Sequence, residues 1–166
     1  MDENLVKEDQ KEATDYEKKA MENFKQGFNC AQSVTAAFAD KLNVDRDTAL
    51  KIASSFGGGV GRMREICGAL SGAFIVMGML DGYFDPLDDE TKTKLYISVQ
   101  ELAEKFKKEN GSLLCKDLLG VQYEPISPIP EKRTAKYYHN RSCEKFVGYS
   151  AKLLAEHIKE MEEIKK

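Results

Sequence analysis

Apolar residues recur at helical spacing along most of the chain, and turn residues separate the runs. Ala13, Tyr16, Ala20 and Phe24 form one stripe from about residue 12 to 25, which Gly27 ends. A second helix is expected from Cys30, with Ala31, Val34, Ala37, Phe38 and Leu42 on one side, up to the turn Asn43-Val44-Asp45. Asp45 or Asp47 opens a shorter helix carrying Leu50, Ile52, Ala53 and Phe56. A glycine stretch, Gly57-Gly58-Gly59-Val60-Gly61, precedes Arg62 and Arg64. The nearly continuous apolar run from Ile66 to Leu80 predicts a buried helix from Cys67 to near Gly82.

After Asp85-Pro86, Asp88 or Asp89 opens a long amphipathic helix to about Lys108. Its core stripe is Leu95, Val99, Leu102 and Phe106, and Asn110-Gly111 stops it. Leu113 to Leu119 predict a short helix closed by Gly120. Residues 121–135 hold three of the four prolines and read as an extended loop, in which Pro125-x-x-Pro128 is a plain spacer. The last helix begins near Ser142, with Phe146, Val147, Leu153, Leu154, Ile158 and Met161 inward. No segment reads as a strand. The expected fold is therefore an all-α, single-domain bundle of six or seven helices over residues 12–166, behind a disordered or frayed segment at 1–11.

Composition narrows the function classes. The chain has 166 residues, 42% hydrophobic and 32% charged, as in a globular domain with one core. A net charge of −3 gives no electrostatic case for nucleic acid or acidic membranes. The apolar run at 66–80 is shorter than the about 20 residues a membrane span needs. The polar opening MDENLVKEDQ carries no secretory pattern, so a reducing cytoplasm is the expected location. Scattered cysteines there serve metal binding, redox chemistry or core packing more often than structural disulfides.

Four cysteines then change the picture. Cys30, Cys67, Cys115 and Cys143 each fall where a helix is expected to begin. Asn29 precedes Cys30, Ser142 precedes Cys143, and Ser112 lies three before Cys115; Asn and Ser cap helix N-termini. A thiol in a first turn feels the positive end of the helix macrodipole, which favours the thiolate that attacks disulfides and binds metals. The pattern suggests one sulfur site built from four segments, although no CxxC pair of the kind used by zinc ribbons and most iron–sulfur motifs is present. Core filling by small apolar thiols is the plain alternative.

The surroundings of Cys67 are the most specific. Glycine-rich backbone can cradle an anion, Arg62 and Arg64 add positive charge, and Gly68-x-x-x-Gly72 places two glycines on one helix face for close approach. Gly58, Gly59, Arg62 and Gly68 are thus the candidate cofactor-binding residues. The run is neither a Walker loop nor a dinucleotide fingerprint. His157 lies roughly 21 Å along the last helix from Cys143, so the two share no single-ion site. His139 falls on a loop and is expected to be exposed.

Cys67-Gly68-Ala69-Leu70-Ser71-Gly72, behind FGGGVGR at 56–62, resembles the motif of the redox family named C_GCAxxG_C_C for its four cysteines. Cys30, Cys115 and Cys143 resemble the family's first, third and fourth cysteines, and the resemblance covers roughly residues 15–160. It implies a small, mostly helical prokaryotic protein with a redox function.

Two chemistries suit such a protein. In one, Cys30, Cys67, Cys115 and Cys143 ligate an iron–sulfur cluster or another metal ion for electron transfer or sensing. In the other, no cofactor is needed: cysteines cycle between dithiol and disulfide, with Cys67 the expected attacking thiolate and Cys30 a second catalytic thiol. Either needs a redox partner, and the long helices could also serve a homo-oligomer contact. The competing class is non-redox: a structural metal site, a helical interaction module, or a simple anion site at the glycine loop.

Overall fold

A computed structural model describes residues 3–121 and 125–166. Nine α-helices form its described part: α1 (Glu3–Lys25), α2 (Cys30–Ala37), α3 (Ala39–Leu42), α4 (Arg46–Ala53), α5 (Gly68–Asp81), α6 (Asp89–Asn110), α7 (Cys115–Leu119), α8 (Ala135–His139) and α9 (Cys143–Ile164). A single 3-10 turn spans Ser54–Phe56. No strand forms among the described residues; one isolated bridge pairs Ile66 with Leu114. No described helix is long and apolar enough to cross a membrane.

The all-helical class agrees with the sequence pattern, while the count and several boundaries differ. α1 begins at Glu3 rather than near residue 12, because the charged segment is still rich in the helix formers Glu, Lys and Gln. The frayed segment expected at 1–11 thus lies outside the described residues only at 1–2. The helix expected over 30–42 breaks at Phe38 (φ −104°, ψ 14°), where its ring stacks on Tyr16 with centroids 4.2 Å apart. α8 forms inside a stretch read as loop, with Thr134 capping it by accepting from the Tyr137 N–H. The loop expected at 121–135 falls partly on residues 122–124, outside the described residues.

The centre of the bundle is the contact between α2 and α5. α2 is buried on almost every side, through Ala31, Ser33, Val34, Thr35, Ala36 and Ala37. Residues 68–73 of α5 are all buried against it. This approach depends on missing side chains. A Cβ on Gly72 would lie 2.6 Å from the Ala31 carbonyl oxygen, and one on Gly68 would lie 3.0 Å from the Cys30 Cβ. The Thr35 hydroxyl closes the contact by donating to the Gly72 carbonyl at 3.3 Å.

Around this pair, α1 and α9 pack along each other with Ala13, Tyr16, Ala20 and Phe24 facing Val147, Leu154 and Ile158. α4 covers α2, presenting Ala49 and Ala53, while Ile52, expected inside, is 41% exposed. α6 rests on α5 and α9 and buries only Leu102 and Phe106 of its expected stripe; Leu95 and Val99 are half-buried.

Gly72→Ala is expected to destabilise the fold by about 1–3 kcal/mol, because the added methyl meets backbone that cannot yield. Gly78→Ala, an exposed position on the same helix with nothing within 4 Å of an added Cβ, is expected to stabilise it by about 0.5–1 kcal/mol. Urea unfolding of both variants checks the contrast.

Candidate functional site

All four cysteines begin helices. Cys30, Cys115 and Cys143 are the first residues of α2, α7 and α9, and Cys67 is the N-cap of α5. Asn29 caps α2 as expected: its side chain accepts from the Gln32 N–H while the Gln32 side chain accepts from the Asn29 N–H. The other two expected caps differ. Ser142 precedes α9 without a side-chain cap bond. Ser112 accepts from the Leu114 N–H at 3.0 Å and donates to Asp117 at 2.7 Å, stabilising the turn before α7 rather than the helix end itself.

The four thiols line one cavity of about 330 Å³. Two backbone arrangements bring them there. The Gly68 contact sets Cys30 beside the start of α5. A short antiparallel pairing then joins residues 64–67 to 113–116: Cys67 N–H donates to the Leu113 carbonyl at 2.8 Å, Cys115 N–H to Glu65 at 2.7 Å, and Lys116 N–H to Arg64 at 3.1 Å. All four are free thiols; Cys67, Cys115 and Cys143 are buried and Cys30 is half-buried. Among the described residues, no three His, Cys, Asp or Glu side chains are grouped as ligands of one metal ion.

The glycine loop forms the second wall. Gly58, Gly59, Arg62 and Gly68 all line the cavity, as the sequence suggested. The loop that carries the first three has an unusual backbone. Positive φ runs unbroken from Gly58 to Arg62 and recurs at Arg64, which turns the chain into a left-handed coil. In it the N–H groups of residues 60–65 all donate to backbone carbonyls of residues 55–60. The N–H groups of 60–65 are thus engaged within the loop, and side chains bring positive charge to the cavity. Gly59 is required by contact as well as conformation, since a Cβ there would lie 2.7 Å from the Cys115 Cβ. Val60, a β-branched residue at φ 62°, holds a strained conformation of the sort that concentrates at functional sites.

Four arginines line the cavity: Arg62, Arg64, Arg133 and Arg141. Among the described residues Glu131 is the one carboxylate of the cavity lining, and it gathers three. Its Oε1 lies 3.7 Å from both Arg62 and Arg64 and forms a close ion pair with Arg141. Arg62 also donates to the Ser127 carbonyl at 2.8 Å, and Arg64 donates to the Cys115 sulfur at 3.8 Å. Arg133 stacks within 4.5 Å of the Phe24 and Tyr137 ring centroids and donates to the Phe28 carbonyl at 3.1 Å. Pro128 and Pro130 also line the cavity, so the proline segment is a wall of the site and not a plain spacer.

Glu131, Arg133, Arg141 and Tyr137 were not singled out from the sequence. The available signal was local: Arg141 two residues before Cys143, and charged residues breaking an otherwise proline-rich loop. His139 is exposed, as expected.

Electrostatics separate the thiols. Burial pushes Cys67 up to about 12, against an opposing pull from the Ala69 and Leu70 N–H groups at the helix start. Burial also raises Cys115, with Arg64 and Arg141 pulling the other way. The Cys30 and Cys143 thiols bias each other's protonation: the interaction with Cys143 and burial hold Cys30 well above the ordinary thiol range, while the interaction with Cys30, helped by Arg141 and Arg133, lowers Cys143 to about 7. For Cys67, the attacking thiolate expected from the sequence, burial opposes ionisation. Arg64 turns to Cys115 instead, Arg62 turns to the proline loop, and the helix start alone does not offset desolvation at Cys67.

The architecture is that of a helical protein with a four-cysteine cavity. The model of the C_GCAxxG_C_C family, described as "Putative redox-active protein", matches residues 28–157, and the chain belongs to that family. No curated protein and no solved structure matches it.

Alkylation of Cys143 by a small reagent is expected to follow its thiolate, rising with pH to a midpoint near 7 and levelling above it. Cys67, protonated to about 12, is expected to stay unlabelled through pH 9. Peptide mass spectrometry after timed labelling across pH reads both.

Proposed function

We propose that the protein exchanges thiols with small disulfides, using Cys143 as the attacking thiolate and Cys30 as the resolving thiol. The carrying observation is that the Cys30 and Cys143 thiols face one cavity and bias each other's protonation, with Arg141 and Arg133 beside Cys143. A thiolate attacks well when its pKa lies near the ambient pH, because both its population and its nucleophilicity are then substantial.

The steps balance within the dithiol. The Cys143 thiolate attacks one sulfur of a disulfide R–S–S–R′. A new Cys143–S–R bond forms, the S–S bond breaks, and R′S⁻ leaves. With Cys143 no longer anionic, Cys30 ionises more readily and gives its proton to the departing thiolate. The Cys30 thiolate then attacks the Cys143 sulfur and releases RS⁻. The protein dithiol has lost two electrons and the small disulfide has gained them. A dithiol reductant reverses the change on the protein. A reducing, cytoplasmic setting suits this cycle.

A second reading has its own support, since all four cysteines face one cavity beside four arginines. A polynuclear iron–sulfur cluster spreads its thiolate ligands more widely than one ion does, and its negative charge suits the arginines. Iron and sulfide analysis of protein purified without air separates the readings: near-stoichiometric iron supports a cluster, and its absence with full exchange activity supports the dithiol.

The dithiol reading is tested by trapping. With 2,2′-dithiodipyridine, Cys30→Ser is expected to accumulate a stable mixed disulfide on Cys143, while the parent releases two equivalents of thiopyridone and retains none. Cys143→Ser is expected to lose rapid exchange. Accumulation on Cys67 instead, or unchanged exchange by Cys143→Ser, overturns the assignment.

A further inference from the structure

The cavity carries more positive charge than its thiols require. Arg62, Arg64, Arg133 and Arg141 face it, and among the described residues Glu131 is the one carboxylate of its lining, in a chain whose net charge is −3. The charges come from separate segments, the glycine coil and the two sides of α8, so folding brings them together. Each is held in place: Arg62 and Arg64 by Glu131, Arg133 by the Phe24 and Tyr137 rings, Arg141 by Glu131 and Tyr137.

One donor is left over. Nη1 of Arg133 is fully buried and has no hydrogen-bond acceptor among the described residues. Such a group costs free energy unless something accepts from it, and native structures keep few of them. Glu131 shows what the other arginines accept, since one carboxylate oxygen attracts three guanidinium groups. At about 330 Å³ the space suits a small molecule and not a folded partner.

We infer that the cavity selects small disulfides bearing carboxylate or similar anionic groups, with Arg133 and Arg62 accepting the negative charge while the disulfide meets Cys143. This rests on the dithiol reading above. Glu131 occupies part of the same anion site, so an incoming carboxylate competes with it for the arginines. Arg62 is held by Ser127 and Glu131, whereas Arg64 donates to the Cys115 sulfur and Arg133 and Arg141 lower Cys143, which makes Arg62 the position where charge recognition separates best from thiolate stabilisation.

The test uses the full chain and three small probes: an anionic aromatic disulfide with carboxylates, neutral hydroxyethyl disulfide, and cationic cystamine. Each rate of exchange at Cys143 is divided by the rate of the same probe with a simple thiol, which removes intrinsic reactivity. The expected order is anionic, neutral, cationic, with the anionic probe favoured over the neutral one by about tenfold or more at low salt. Salt at about 1 M, where the Debye length is ~3 Å, is expected to shrink that preference several-fold. Arg62→Gln is expected to reduce it as well.

Equal normalised rates for the three probes, or a preference insensitive to salt and to Arg62→Gln, overturn the anion inference while leaving the dithiol intact. Failure of even the neutral probe to react at Cys143 overturns the dithiol reading and the inference with it. The salt series needs no variant, so the outcome does not depend on how Arg62→Gln folds.

Discussion

The approach of α5 to α2 through Gly68 and Gly72 is the constraint from which the site follows. Without side chains at these two positions the helices meet backbone to backbone, and Cys30 comes beside the N-terminus of α5. The same helix start is fixed on its other side by the pairing of residues 64–67 with 113–116, which carries Cys115 to the cavity. α9, packed along α1, supplies Cys143 from a third direction. Widening the glycine contact by one methyl would therefore do more than loosen a core; it would move one thiol away from the other three.

Once gathered, the thiols face opposing forces. Taking sulfur out of water favours the neutral form, and at Cys67 that effect prevails despite the helix start. Nearby positive charge and the neighbouring thiol favour the thiolate, and they converge on Cys143, where Cys30, Arg141 and Arg133 act together. A cavity of four chemically identical side chains thus contains one thiol electrostatically distinct from the rest. Glu131 sets the balance from outside, holding Arg62, Arg64 and Arg141 over the cavity from a loop with no regular structure.

The sequence made some of this legible and not the rest. Helical class and the starts of α2, α5, α7 and α9 follow from periodicity and turn residues, with side-chain capping adding to this only at Asn29, so the placement of each cysteine is legible one helix at a time. Phe38 was read as continuing a helix because its stacking on Tyr16 is a tertiary contact with no local trace. Which thiols pair is a tertiary fact of the same kind: Cys30 and Cys143 are distant in sequence and meet because α9 docks beside α2. The glycine stretch looked like an anion cradle because glycine permits one. Its φ values form a left-handed coil in which the N–H groups of residues 60–65 bond within the loop, a geometry that composition does not specify. Arg133 and Glu131 were hidden in a proline-rich loop, where composition suggested a spacer and gave no hint of a wall.

The most direct measurement is the identity of the first disulfide formed when the reduced, metal-free protein receives one oxidising equivalent, read by peptide mass spectrometry after the remaining thiols are blocked. The account predicts a Cys30–Cys143 bond, with Cys67 and Cys115 recovered as blocked thiols. A first bond between Cys67 and Cys115, or an even mixture of pairings, would contradict it.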